Sequence, residues 1–247
     1  MSLHVLPTRI AGAAENMAVD FLLLPRYPEK AAPRFRHYGW RTPAVTFGYS
    51  QKIGFVRQQL RLGEGERLEV CRRPTGGGVV DHRQDWTYAL ILPRGHPLEE
   101  LRACESYRLV HETLAATLRA MAVPCRTKPA ADSTPAEATP EKAPSTPASV
   151  CFERAEVHDV VHDATGAKIA GAAQKRNKHG LLFQGSIWKP AIGPAGIDWE
   201  HWAEIFPAAL AVALGTDAEP VPWPELNEEE VSALTEQYSS PEWNEFR

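Results

Sequence analysis

Apolar and polar positions settle into period two over Trp86–Leu92. Trp86, Tyr88, Leu90 and Leu92 fall on one side and Thr87, Ala89 and Ile91 on the other. Bulky residues at every second position predict a partly buried strand. Helical spacing takes over elsewhere. Met17, Phe21 and Leu24 form a stripe within Asn16–Leu24, and Leu98, Leu101, Val110, Leu114, Leu118 and Met121 form a longer one after Pro97. Pro97 with Glu99 and Glu100 suits the first turn of one long helix. Residues 34–49 are aromatic and β-branched, broken at Gly39 and Pro43, which predicts two short strands; Arg67–Arg73 predicts another. Further on, Glu156–His162, Ala167–Gln174 and Leu181–Trp188 predict a meander of three strands. A short helix is expected over Asp198–Ile205. Asn227 can cap a last helix that begins Glu228-Glu229-Glu230.

Between the long helix and the meander the pattern vanishes. Lys128–Ser149 holds five prolines, six alanines and no Val, Ile, Leu, Met or aromatic residue. Such a segment buries too little surface to offset its ordering entropy, so residues 128–149 are expected to be a disordered surface loop within the domain. The 247 residues, 43% of them hydrophobic, suffice for one large α/β domain, with or without a small appendage. A net charge of −4 offers no global basic field, and no nucleic-acid partner is expected. No apolar run approaches the length of a membrane span, and nothing reads as a signal peptide. Cys71, Cys104, Cys125 and Cys151 contain no CxxC pair, neither a zinc spacing nor a disulfide framework. A cytoplasmic protein with reduced thiols and no membrane partner is expected.

Three segments could carry chemistry. In Arg72-Arg73-Pro74-Thr75-Gly76-Gly77-Gly78, the glycines remove every Cβ and let backbone groups approach a ligand, although a bare triple glycine also makes a plain hairpin. Arg72 and Arg73, adjacent on a strand, point to opposite faces, so one of them looks toward the glycines. In the run 166–174, strand alternation puts Lys168 on a face with Ala170, Ala172 and Gln174, against Ile169, Gly171 and Ala173. A charged residue followed by small ones fits a groove for an extended chain, and fits a solvated edge lysine equally well. Cys151, between the floppy stretch and the meander, is a small hydrophobe or a nucleophile; for the second role a neighbouring cation or imidazolium must favour its thiolate, and Lys168 and His82 are the candidates. His158 and His162 stand about 13 Å apart on a strand, too far to share a metal. No metal site is expected.

Taken in order, these segments resemble the lipoate–protein ligase A / biotin–protein ligase catalytic-domain family, over nearly the whole chain. The resemblance is carried by Asn16–Asp20, Tyr38-Gly39-Trp40, Gly48-Tyr49, Arg72–Gly77, His82 with Thr87-Tyr88, Val150-Cys151-Phe152, Lys168–Gln174, Gly185-Ser186-Ile187 and Tyr238–Asn244. It implies an α/β (α+β) fold with a mixed sheet, packed helices and an acyl-binding groove, in a single catalytic domain over residues 1–247. It also implies site residues: Cys151 as acyl acceptor, Lys168 at the acyl carbonyl or an adenylate, and Arg73, Gly76, Gly77, Gly78, His82, Ala170, Gly171 and Ala172 around the acyl chain.

Within the family the chain is similar to the octanoyltransferases that use a cysteine. His82–Tyr88 follows their His-x-Gln-Glu-x-Thr-Tyr pattern except at Asp85, and lacks the HDxGN pattern that serves the adenylate and metal of the ATP-dependent ligases. The resemblance thus implies an octanoyl (or lipoyl) transfer from acyl-carrier protein, through a Cys thioester, to a lysine of a lipoyl domain or glycine-cleavage H protein. No cofactor is then needed; ATP and Mg2+ enter only if the chain is a lipoate–protein ligase instead. An arginine rim of Arg72, Arg83 and Arg176 could steer acidic partners, and a monomer is expected. Two departures stand out: Gly78 where the transferases carry Arg, and Gln184 where they carry His. Gln184 leaves room for a non-catalytic acyl-binding or lipoyl-domain-binding homologue.

Overall fold

The computed structural model describes residues 2–24, 32–60, 67–130 and 155–246. Cys151 and residues 131–149 of the Pro/Ala/Thr stretch therefore lie outside the described residues. The chain order is β1 (Leu3–Ala11), α1 (Ala13–Leu23), β2 (Arg34–Trp40), β3 (Ala44–Phe47), α2 (Ile53–Gln59), β4 (Glu69–Arg72), β5 (Val79–Asp81), β6 (Asp85–Pro93), α3 (Pro97–Glu100) and α4 (Ala103–Ala120). It continues with β7 (Cys125–Thr127), β8 (Val160–His162), β9 (Lys168–Asn177), β10 (Gly180–Trp188), α5 (Trp199–Ala213), β11 (Ala218–Pro220), α6 (Glu228–Ser239) and α7 (Pro241–Asn244).

Eight strands form one mixed sheet in the order β11-β1-β2-β6-β10-β9-β8-β7, parallel only where β1 meets β11 and β2. A second sheet, β4-β3-β5, has three strands. Strand β6 lies near the middle of the large sheet, and all nine of its residues are buried, where its patterning predicts only partial burial. Trp86, Tyr88, Leu90 and Leu92 pack under α4 and α5, while Ala89 and Ile91 pack under α1. A central strand covered on both faces loses its polar side, which period-two patterning alone does not reveal.

Three further expectations need correction. The helix opened by Pro97 breaks after one turn: Leu101 is extended and half-exposed, and α4 restarts at Ala103 with the Glu105 carboxylate accepting from the Arg102 N–H at 3.2 Å. Arg176 holds the break, donating to the carbonyls of Glu99 (3.2 Å) and Leu101 (3.0 Å). The helix expected to stop near Ile205 runs on to Ala213 through Pro207, because Phe206, Leu210 and Ala211 are all buried beyond it. The strand expected over Glu156–His162 covers Val160–His162 only. His158 before it takes φ 68, a left-handed turn that a strand does not allow.

The arginine rim also changes. Arg72 is fully buried and donates to the carbonyls of Tyr49, Gln51, Trp243 and Asn244 at 2.6–3.0 Å, clamping α7 to the small sheet. Arg83 pairs with Asp81, and Arg176 is taken by the α3–α4 break. Among the described residues, no helix is long and apolar enough to cross a membrane.

Candidate active site

The small sheet and α1 sit over one face of the large sheet, and a slender cavity of about 50 Å3 lies between them. A wider cavity of about 540 Å3 adjoins it, and Gly77, Lys168, Ala172 and Ala173 line both. Everything of chemical interest gathers along this pair.

Lys168 stands at the junction. Its ammonium lies 2.7 Å from Asp159, both side chains buried. The carboxylate also accepts from the Glu156 N–H at 2.6 Å and from the Tyr107 hydroxyl. Tyr107 in turn accepts the Ala172 N–H at 3.0 Å, which ties α4 to β9. Burial, then the Asp159 charge, raise the Tyr107 hydroxyl well above its ordinary pKa, so it stays a donor. Behind Tyr107, burial lowers His111 to about 4, leaving a neutral ring 4.0 Å from the Tyr107 ring.

A register shift delivers the lysine to this place. Val160 pairs with Ala170 but Val161 pairs with Lys168, an irregularity of the kind that re-aims a side chain. Lys168 therefore shares a face with Gly171 and Ala173, not with Ala170 as simple alternation predicts. A Cβ on Gly171 would lie 2.6 Å from the Lys168 nitrogen, so the glycine makes room for the ammonium. Ala170, expected at the acyl chain, is instead in the main core, fully buried, and lines neither cavity. Gly171 lines the slender cavity and Ala172 lines both.

The glycine segment is built from inside. Arg73 lines the slender cavity and donates to the carbonyls of Gly76 (2.6 Å) and Gly78 (3.0 Å) and to the Thr46 hydroxyl (3.3 Å). Gly77 takes φ +87, and its carbonyl would stand 2.0 Å from a Cβ on Gly48, so the close approach needs both glycines. Gly78 lines the wider cavity, and Gly76 lines neither.

At the other end of the slender cavity, His82 bonds through Nδ1 to Asp85 at 2.7 Å and through Nε2 to the Thr46 hydroxyl at 2.8 Å, with Trp40 stacked at 4.1 Å. The hydroxyls of Thr87 and Ser186 also donate to Asp85. Gln184, the family's histidine position, accepts from Thr75 at 2.7 Å and donates to Asp20 at 2.7 Å. Asp159, Tyr107 and Asp85 are the residues that sequence reasoning missed. Asp159 and Tyr107 come from segments far apart in the chain, and only Asp85 carried a signal, as the acid in the motif after His82.

Burial raises the thiols of Cys71 and Cys125 to about 12 and about 11, so neither supplies thiolate at neutral pH. Cys104 is exposed and lines the wider cavity. Glu156, Val157, His158 and Asp159 line that same cavity. Among the described residues no cluster of three metal-ligating side chains occurs.

An octanoyltransferase LipM from an Exiguobacterium species is 34% identical over 186 residues, covering 74% of this chain and 64% of its own. The chain spans roughly three-fifths of the length of several such relatives. Against the octanoyltransferase LipM of Bacillus anthracis it is 31% identical over 279 residues, 94% of this chain and 93% of that one. The fold matches a bi-partite lipoate protein ligase of Thermoplasma acidophilum with a TM-score of 0.66, at 17% identity, over 99% of this chain and 96% of that one. Residues 12–188 match the lipoyl protein ligase A/B catalytic domain, and the chain belongs to that family.

Proposed function

We propose that the protein is an octanoyltransferase working through a thioester on Cys151. The Cys151 thiolate attacks the carbonyl carbon of an octanoyl thioester on acyl-carrier protein; the carrier's sulfur leaves and takes up a proton. The amine of a target lysine, on a lipoyl domain or glycine-cleavage H protein, then attacks the enzyme thioester. An amide forms, the amine gives up a proton and the Cys151 thiolate returns. Thioester exchange is near thermoneutral and the amide lies lower, so neither ATP nor another cofactor is required.

One observation carries the reading: an ammonium, fixed by a buried carboxylate, stands where a slender channel opens into a wide one. An acyl tail fits the first, a carrier's thioester arm the second, and the carbonyl falls beside Lys168, where its developing negative charge is stabilised. Cys151 precedes Ala155 by four residues, a length of chain that can reach at most about 14 Å, and Glu156 lines the wide cavity. The names of the relatives point the same way. Gln184, held between Thr75 and Asp20, is part of the slender cavity's wall.

The test is intact-mass analysis after mixing the protein with octanoyl acyl-carrier protein in the absence of ATP. One octanoyl group should appear and should map to Cys151 on peptide fragmentation. An adduct on Cys104, or acylation that requires ATP and free lipoate, defeats the proposal. The lysine's seat gives a second expectation. In Gly171→Ala the new methyl displaces the ammonium, and a shift of about 1 Å should lower kcat/KM for octanoyl transfer by about 10²-fold, with the folded state retained by circular dichroism.

A further inference from the structure

The slender cavity follows a single row of residues across the sheet. Gly171 on β9 faces Ser186 on β10, Ser186 faces Thr87 on β6, and Thr87 faces Tyr38 on β2; all four line the cavity. Lys168 begins the row, beside Gly171. Tyr38 ends it. Its hydroxyl donates to Asp20 at 3.0 Å, the Arg36 guanidinium lies 4.0 Å from its ring centre, and it is 1% exposed, so this wall does not yield.

We infer that the row is a length gauge for the acyl chain, with Thr87 and Tyr38 at its closed end; this rests on the acyl-transfer reading above. Neighbouring strands lie about 4.8 Å apart, so three steps from β9 to β2 measure about 14 Å. In an extended chain, C–C bonds of about 1.5 Å advance about 1.25 Å each, which puts the octanoyl methyl about 9 Å from its carbonyl carbon. A hydrogen bond from Lys168 at one end, and methyl contact at the other, bring the span to about 14 Å. Eight carbons fill the row, and ten exceed it.

The closed end is polar in composition, and apart from Asp85 Oδ1 its side chains are bonded to one another. Thr87, Ser186 and His82 bond to Asp85, Thr46 bonds to His82, and Trp40 donates to Thr87 at 3.0 Å. An aliphatic tail there displaces none of these bonds. The roof is Met17 from α1 with Val80 and Thr46 from the small sheet. The cavity is slender enough that the roof must lift as a chain enters, and the flexible Met17 side chain is suited to that.

The test is a ladder of blocks read against a series of acyl-carrier-protein thioesters of four to twelve carbons, following acylation of Cys151 by mass. Wild type should be fastest with eight carbons, and Thr87→Leu should move the optimum to about six. Ser186→Leu, one strand and so about four carbons nearer Lys168, should shut out all but the shortest member of the series, four carbons. Each methylene left without a seat should cost about fourfold, so the eight-to-six rate ratio should fall at least about tenfold in Thr87→Leu. Overall rates will also drop, since both residues touch Asp85, but a ratio within one protein is insensitive to the amount folded. Thr87→Ile, one heavy atom larger than the native side chain, is the gentler variant and should shift the optimum the same way by one or two carbons. If wild type accepts no acyl group of any length, the transferase reading itself fails. If it is acylated but the profiles of the variants run parallel to wild type, or both blocks shift it equally, the length gauge is overturned.

Discussion

Lys168→Met should slow acylation of Cys151 by about 10²–10³-fold, the range lost when a donor to a developing oxyanion is removed. Single-turnover mass spectrometry with octanoyl acyl-carrier protein would show it. Methionine keeps the length and apolar stem of lysine while removing the ammonium, so the slot's packing changes little. The same variant should lose stability, by about 3–5 kcal/mol in urea, because Asp159 keeps its burial and loses its partner. The two losses are separable. Lys168→Met with Asp159→Asn removes the stranded charge and should recover part of the stability, with the new amide oxygen still accepting from Tyr107, while the rate stays low. A single variant that transfers within tenfold of wild type would show that the ammonium does not meet the reacting carbonyl.

How far this site could be read in advance depended on whether a feature is local or cross-strand. Arg73, the glycines, His82 and Lys168 stood out because residue type and spacing within a few positions define them. Asn227 capping α6 was legible for the same reason: its side chain accepts from Glu229 and Glu230, neighbours in sequence. Asp159 was not legible. It serves Lys168 only because β8 and β9 pair with a shift, and because His158 turns left-handed just before β8. The same shift misplaced Ala170, since alternation propagates an error past any extra residue. Tyr107 stood outside the apolar stripe of the long helix, and its part in the site comes from bonds to Asp159 and Ala172, both far along the chain. Arg72 looked like a partner-steering charge beside Arg73, and only the return of α7 in three dimensions makes it a buried clamp.

Arg36→Met should make stability strongly dependent on pH, through a carboxyl that supports one wall of the slot. Asp20 is fully buried, and burial raises its pKa above the usual carboxylate range; Arg36 is the largest opposing influence, ahead of the hydrogen bonds from Gln184 and Tyr38. The guanidinium lies 2.9 Å from the carboxylate and 2.9 Å from the Asn16 side-chain oxygen. Without it the Asp20 pKa climbs further. A raised acid binds its proton more tightly folded than unfolded. Its contribution is therefore fully present below the unfolded value of about 4 and is lost as pH rises through the folded value. At pH 7 the variant should be less stable than wild type by about 3–5 kcal/mol, the cost of an uncompensated buried charge. The gap should narrow steadily as pH falls toward about 4, and below that Asp20 is protonated in both states. Urea unfolding across that range would show it, and a gap independent of pH would mean that the guanidinium acts through packing on Tyr38 and not through charge. Adding Asp20→Asn should flatten the profile. Because Gln184 donates to Asp20 and also lines the slot, a charged and unpaired Asp20 should pull on that wall, so acyl transfer by Arg36→Met should weaken over the same pH interval in which its stability falls.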